Sequence, residues 1–155
     1  LLSLVPALWF EIPLIASMMA VGVLPFELMW IADFIAGGNF TGIAAYMFST
    51  ENLPLYLRAL SLFHFVLPPV IIFMLIRFGY DRRALAAQTM LALIVLPVTY
   101  FFTQLEENIN WVFGPGEIQD FMPPLLYLVL WMLALPMLVY VPVHLLLKKL
   151  FPVRS

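Results

Sequence analysis

Four long apolar blocks, over residues 14–36, 54–79, 84–104 and 124–147, dominate this chain and are separated by short polar stretches. Each reaches the roughly 20 residues a helix needs to cross the hydrocarbon core of a bilayer. The expected fold class is all-α: a polytopic transmembrane helical bundle of four spans, forming one integral-membrane domain over residues 1–155. A shorter apolar segment, 1–10, is too short to span. It reads either as the last turns of a truncated span or as a helix lying in the interface. Trp9 and Phe10 followed by Glu11 and Pro13 resemble an interfacial exit, which favours the truncated span. The chain opens with Leu, so further sequence ahead of it is expected.

Every block carries a proline near its middle: Pro25, the pair Pro68-Pro69, Pro97, and Pro136 with Pro142 beyond it. Each proline removes an N–H and frees the carbonyl four residues earlier, which kinks a helix. In lipid the freed carbonyls need partners from neighbouring helices or from water. Proline-kinked spans are therefore expected. They suit a bundle enclosing a hydrated or ligand-bearing cavity, and they equally suit the ordinary enrichment of proline in membrane helices.

Composition strengthens this picture. The 155 residues are 65% hydrophobic and only 10% charged, with a mean hydropathy of +1.05; soluble domains carry roughly 25% charged residues. So small a soluble protein has no interior in which to hide that much apolar surface, so lipid is its solvent. The absence of cysteine excludes disulfides, thiolate nucleophiles and cysteine-ligated metal sites. A net charge of −2 gives no reason to expect nucleic acid as a partner.

The placement of charge orients the bundle. Arg77, Arg82 and Arg83 cluster around the end of the second block, and Lys148, Lys149 and Arg154 follow the fourth. Four spans put both groups on one side. Glu51, Glu106, Glu107, Glu117 and Asp120 fall on the other. The positive-inside rule then assigns the turn at 80–83 and the C-terminus to the cytoplasm, and loops 37–53 and 105–123 to the periplasm of a bacterial inner membrane.

Ionisable groups inside the blocks are the candidate site, because in hydrocarbon they are costly unless paired or wetted. Residues at equal depth on two antiparallel helices share a constant index sum. Glu27 and His64, Trp30 and Ser61, and Asp33 and Arg58 all share one. Two intramembrane pairs are expected, Glu27 with His64 and Asp33 with Arg58. Pro68 frees the carbonyl of His64, so the backbone there is expected to be irregular. Three readings compete for Glu27 and His64: a hydrogen bond fixing helix register, a proton relay or transport site, and a pigment, haem or metal ligand role for His64. His144 lies on the order of 15–18 Å deeper at helical rise, too far to share one haem with His64. It is expected at the interface beside Lys148 and Lys149. No metal-ligand spacing, phosphate loop, dinucleotide fingerprint or nucleophile motif occurs, so no catalytic residue is assigned and no cofactor is required. The loop 106–122 mixes acids with Trp111, Phe113 and Phe121. It is either a membrane anchor or a docking patch for a partner.

The residues Phe63-His64 and Leu67-Pro68, the turn Gly79-Tyr80-Asp81-Arg82-Arg83-Ala84-Leu85, the pair Gln88-Thr89 and the run Asn108-Ile109-Asn110-Trp111-Val112-Phe113-Gly114-Pro115 carry a likeness, continued by Tyr140, Pro142 and His144. On these the stretch 60–147 resembles an uncharacterised family of bacterial polytopic membrane proteins. The resemblance implies a bacterial membrane protein with extra N-terminal sequence and no established activity. The leading functional expectation is a non-enzymatic accessory subunit of a larger inner-membrane complex, photosynthetic or respiratory, with lipid and other membrane subunits as partners. The alternative is a small proton-coupled transporter or an intramembrane enzyme using Glu27 and His64.

Overall fold

The computed structural model describes residues 9–48 and 54–151, so residues 1–8 of the N-terminal apolar segment, Glu51 and Arg154 lie outside the described part. The described chain is all-α, without strands. Its helices are α1 (Pro13–Gly22), α2 (Leu24–Ile35), α3 (Leu55–Leu60), α4 (Phe63–Phe78), α5 (Ala84–Phe102), α6 (Pro124–Ala134) and α7 (Val141–Leu150). A π-helical turn, Leu135–Tyr140, joins α6 to α7. Three stretches are long and apolar enough to cross a membrane: Leu55–Phe78, Ala84–Phe102 and Pro124–Leu150. The bent pair α1–α2 makes a fourth if it counts as one span.

The core is built around α1, which packs against both α4 and α5. Ala16, Ala20 and Val21 are fully buried, as are Ile71 and Met74 of α4 and Ala84 at the start of α5. Small residues on α1 let the neighbouring backbones approach closely, the means by which helices pack when there is little hydrophobic drive between them. Buried Ser17 adds a polar link: its hydroxyl accepts the N–H of Asp81 at 2.9 Å, tying the α4–α5 turn to α1.

Prolines act unequally on these helices. The first block is two helices bent by 45°. Pro25 cannot donate to the Val21 carbonyl, and the Val23 carbonyl instead accepts from both Phe26 and Glu27. In the second block the irregularity lies one turn before the proline pair. Ser61, Leu62, His64 and Phe65 all donate to carbonyls three residues back, at 3.0–3.2 Å. With two successive N–H groups missing from the following turn, the helix tightens just ahead of it. Pro136 coincides with the π turn. Pro97 sits inside an α5 that continues as one helix from Ala84 to Phe102. Gly79, at φ 80°, ends α4 while its N–H bonds the Leu75 carbonyl at 2.9 Å, a conformation that glycine adopts without strain.

Candidate functional site

Glu27 lies in the first turn of α2, buried to 7% exposure, where the helix N-terminus favours a negative charge. His64 lies in the first turn of α4. Their side chains meet, with Nδ1 of His64 2.5 Å from Oε2 of Glu27. Trp30, one turn along α2, stacks on the imidazole with ring centroids 4.3 Å apart, and Phe63 packs against the same ring at 4.1 Å. The pair is thus held in an aromatic clamp that continues through Phe34 and Phe65. The His64 side chain stays 20% exposed, and its bond to Glu27 uses only Nδ1. Among the described residues no three His, Cys, Asp or Glu side chains converge as a metal site.

The second expected pair does not form. Asp33 is fully buried, and its carboxylate accepts four backbone N–H groups from the loop that follows α2: Phe40 at 2.8 Å, Thr41 at 2.6 Å and Gly42 at 3.2 Å on Oδ1, and Ala44 at 2.7 Å on Oδ2. Gly37, Gly38 and Gly42 take positive φ to fold this loop back. At Gly38 a Cβ would stand 2.5 Å from the backbone of Ala45. Arg58 instead donates to the Met47 carbonyl at 3.1 Å, and its buried Nε has no partner among the described residues. Residues of constant index sum share a depth only on two straight antiparallel helices of equal rise. The tightened turn between α3 and α4 breaks that condition: Phe34 packs on Phe65, whereas a constant sum pairs it with Leu57. Trp30 likewise meets His64 and Phe65, and the Ser61 hydroxyl turns back to the Leu57 carbonyl.

At the other end of the bundle His144 is not a free interfacial side chain. Its Nδ1 lies 2.6 Å from the hydroxyl of Tyr80, which is 2% exposed. Burial, reinforced by the adjacent Asp81 charge, pushes the Tyr80 hydroxyl up to about 12. Asp81 is held below the usual carboxylate range by its hydrogen bonds from Arg83. Arg82 and Lys148 both act electrostatically on His144, so the two basic groups share one end of the bundle.

The loop 105–123 is folded around its amides. Asn108 accepts from the Phe113 N–H at 3.0 Å and donates to the carbonyls of Gly114 and Gly116. Gln119 makes a reciprocal pair with the Met122 backbone, both bonds at 3.0 Å. Of the three aromatic residues expected as a docking patch, Phe113 is buried against Tyr100, and Trp111 is half-buried against Phe26 and Trp131. Only Phe121 stands out, 70% exposed. Ser17 and Gln119 carry no signal in the sequence, and Tyr80 and Asn108 stand out there through the family likeness. The signal for Asn108 was present, since an amide a few residues before Gly-Pro-Gly is suited to bridging the turn.

The chain matches no protein-family model, no curated protein and no solved structure, so its function is read from its own residues.

Proposed function

We propose that the chain is an integral protein of a bacterial inner membrane, crossing it four times with α1 and α2 as one bent span, and that it serves as a non-enzymatic accessory subunit of a larger complex. The basic end, with Arg82, Arg83, Lys148 and Lys149, faces the cytoplasm by the positive-inside rule, and the loop 105–123 faces the periplasm. The carrying observation is how little of each long helix the chain itself covers: 28% of the apolar window is buried for Leu55–Phe78, 17% for Ala84–Phe102 and 22% for Pro124–Leu150. Such faces suit lipid and neighbouring transmembrane subunits. The Glu27–His64 pair then fixes the register of two helices. A photosynthetic or respiratory assembly is the candidate host. Solubilisation of native membranes in mild detergent, followed by sizing and identification of co-purifying proteins, tests this. A stable complex with other membrane proteins is expected, and recovery of the chain alone as monomer or homo-oligomer refutes it.

One observation favours a second reading, proton-coupled transport or intramembrane catalysis. His64 is clamped and bonded to a carboxylate through Nδ1 while its side chain keeps 20% exposure, the arrangement a proton relay needs. Proton flux in reconstituted vesicles that disappears in His64→Gln, with assembly intact, would select it.

A further inference from the structure

A cavity of about 450 Å³ lies between the α1–α2 bend, α5, the π turn and the loop 105–123. Its size falls within the range of small-molecule sites. Two interrupted helices border it: Gly22 and Val23 come from the bend, and Leu135 and Tyr140 from the ends of the π turn. Helix interruptions of this kind collect at functional sites, and in membrane proteins irregular backbone is tolerated where it lines a cavity. On α5 the lining residues Gln88, Leu91, Ala92, Val95 and Leu96 recur at helical spacing, giving a wall about 12 Å long at 1.5 Å per residue.

The chemistry of that wall is graded. At one end the Gln88 amide lies within side-chain reach of the Tyr140 hydroxyl. It also presses on Gly22 so closely that a Cβ there would overlap it at 2.2 Å. At the other end stand the rings of Phe26, Trp111 and Trp131, with Asn108 and Asn110 of the loop also in the lining. Trp111 is held at φ 57°, a left-handed conformation that bulky residues avoid. Its neighbourhood is pinned by Trp131, whose Nε1 donates to the Asn110 carbonyl at 3.1 Å. Between the two ends the wall is aliphatic, and among the described residues no Asp, Glu, Lys, Arg or His lines the cavity. A charged ligand would lose its hydration there with nothing to offset the loss. Leu91 and Val95 are 45% and 38% exposed, so the rim lies on the apolar flank of α5 and a ligand reaches it from an apolar phase.

We infer that this cavity binds an uncharged, lipid-soluble ring compound bearing a carbonyl oxygen, the quinone class. The flat ring packs among Phe26, Trp111 and Trp131 or between them and Leu135, and the carbonyl accepts a hydrogen bond from Gln88 or Tyr140. The site is independent of the accessory role and of the Glu27–His64 pair.

The test is a fluorescence titration of the purified full chain in nanodiscs with decylubiquinone, which quenches nearby indoles. Saturable quenching is expected, and it should be absent in Trp131→Phe with Trp111→Phe. Ala92→Phe, which fills the cavity, should abolish saturation. Gln88→Leu or Tyr140→Phe should weaken binding by about five- to tenfold, the worth of one hydrogen bond. Decanol should fail to compete, because it has the tail without the ring. Linear, non-saturating quenching that is the same in wild type and Ala92→Phe would mean only partition into the bilayer and would overturn the assignment. So would equal competition by decanol. The competition arm uses the natural chain, so it decides even if the Phe variant does not fold.

Discussion

Replacing Asp33 by Asn separates the loop clasp seen in the structure from the ion pair expected from index sums. The carboxylate accepts four N–H groups, three on Oδ1 and one on Oδ2. An Asn oriented to keep the three bonds at Phe40, Thr41 and Gly42 turns its NH₂ toward the Ala44 N–H, 2.7 Å from the position of Oδ2. Two donors then face each other. Phe40, Thr41 and Gly42 are exposed and water can serve them, but Ala44 is fully buried. The variant loses one hydrogen bond to a charged acceptor, worth about 1.5–3 kcal/mol, and strands one buried donor at about 1–3 kcal/mol. A loss of about 3–5 kcal/mol is expected. Arg58→Met should cost under about 1 kcal/mol, since it removes one bond to the Met47 carbonyl together with a buried Nε that has no partner among the described residues. Equilibrium unfolding in mixed micelles with increasing dodecyl sulfate gives both values, and hydrogen exchange at the Ala44 amide gives the local one. Loss of protection at Ala44 in Asp33→Asn, unchanged in Arg58→Met, is the expected result. Equal losses in the two single variants, strongly non-additive in the double variant, would restore the Asp33–Arg58 pair and refute the clasp.

His64→Leu should strand Glu27 at a buried site and cost about 3–5 kcal/mol, less where Glu27 takes up a proton; His64→Gln should retain most of the stability, and His64→Leu with Glu27→Leu should recover it. Normal unfolding of the single Leu variant would sink the register role. The Tyr80 hydroxyl, pushed up to about 12, should ionise well above the ordinary tyrosine range in an ultraviolet titration. Because its neutral form is favoured in the folded chain, its contribution to stability is complete below about 10 and is lost as pH rises through about 12; an early tyrosinate that disappears in Tyr80→Phe would contradict the burial argument. The chain has no cysteine, so single Arg82→Cys and Glu117→Cys variants report topology cleanly. They should label from opposite faces of sealed vesicles, and labelling from the same face would overturn four spans.

Some of this architecture is legible in the order of residues alone. Long apolar blocks and the scarcity of charge specify helices of spanning length, because hydrophobic length is a local property of the chain. Clustering of Arg82, Arg83, Lys148 and Lys149 relies on span count and is equally local. The meeting of Glu27 with His64 was also within reach, since adjacent helices joined by a loop bring matching depths together near their shared straight portion. Further along, tertiary structure decides. A constant index sum cannot register a tightened turn at Ser61, so it misassigned Asp33, whose carboxylate had a nearer set of donors in its own following loop. Tyr80 with His144, and Phe26 with Trp111 and Trp131, join segments tens of residues apart, and no spacing rule links them. The same holds for the cavity, whose walls come from a bend, a π turn and an irregular loop. Its existence depends on how proline strain is shared among helices, which only the packed chain determines.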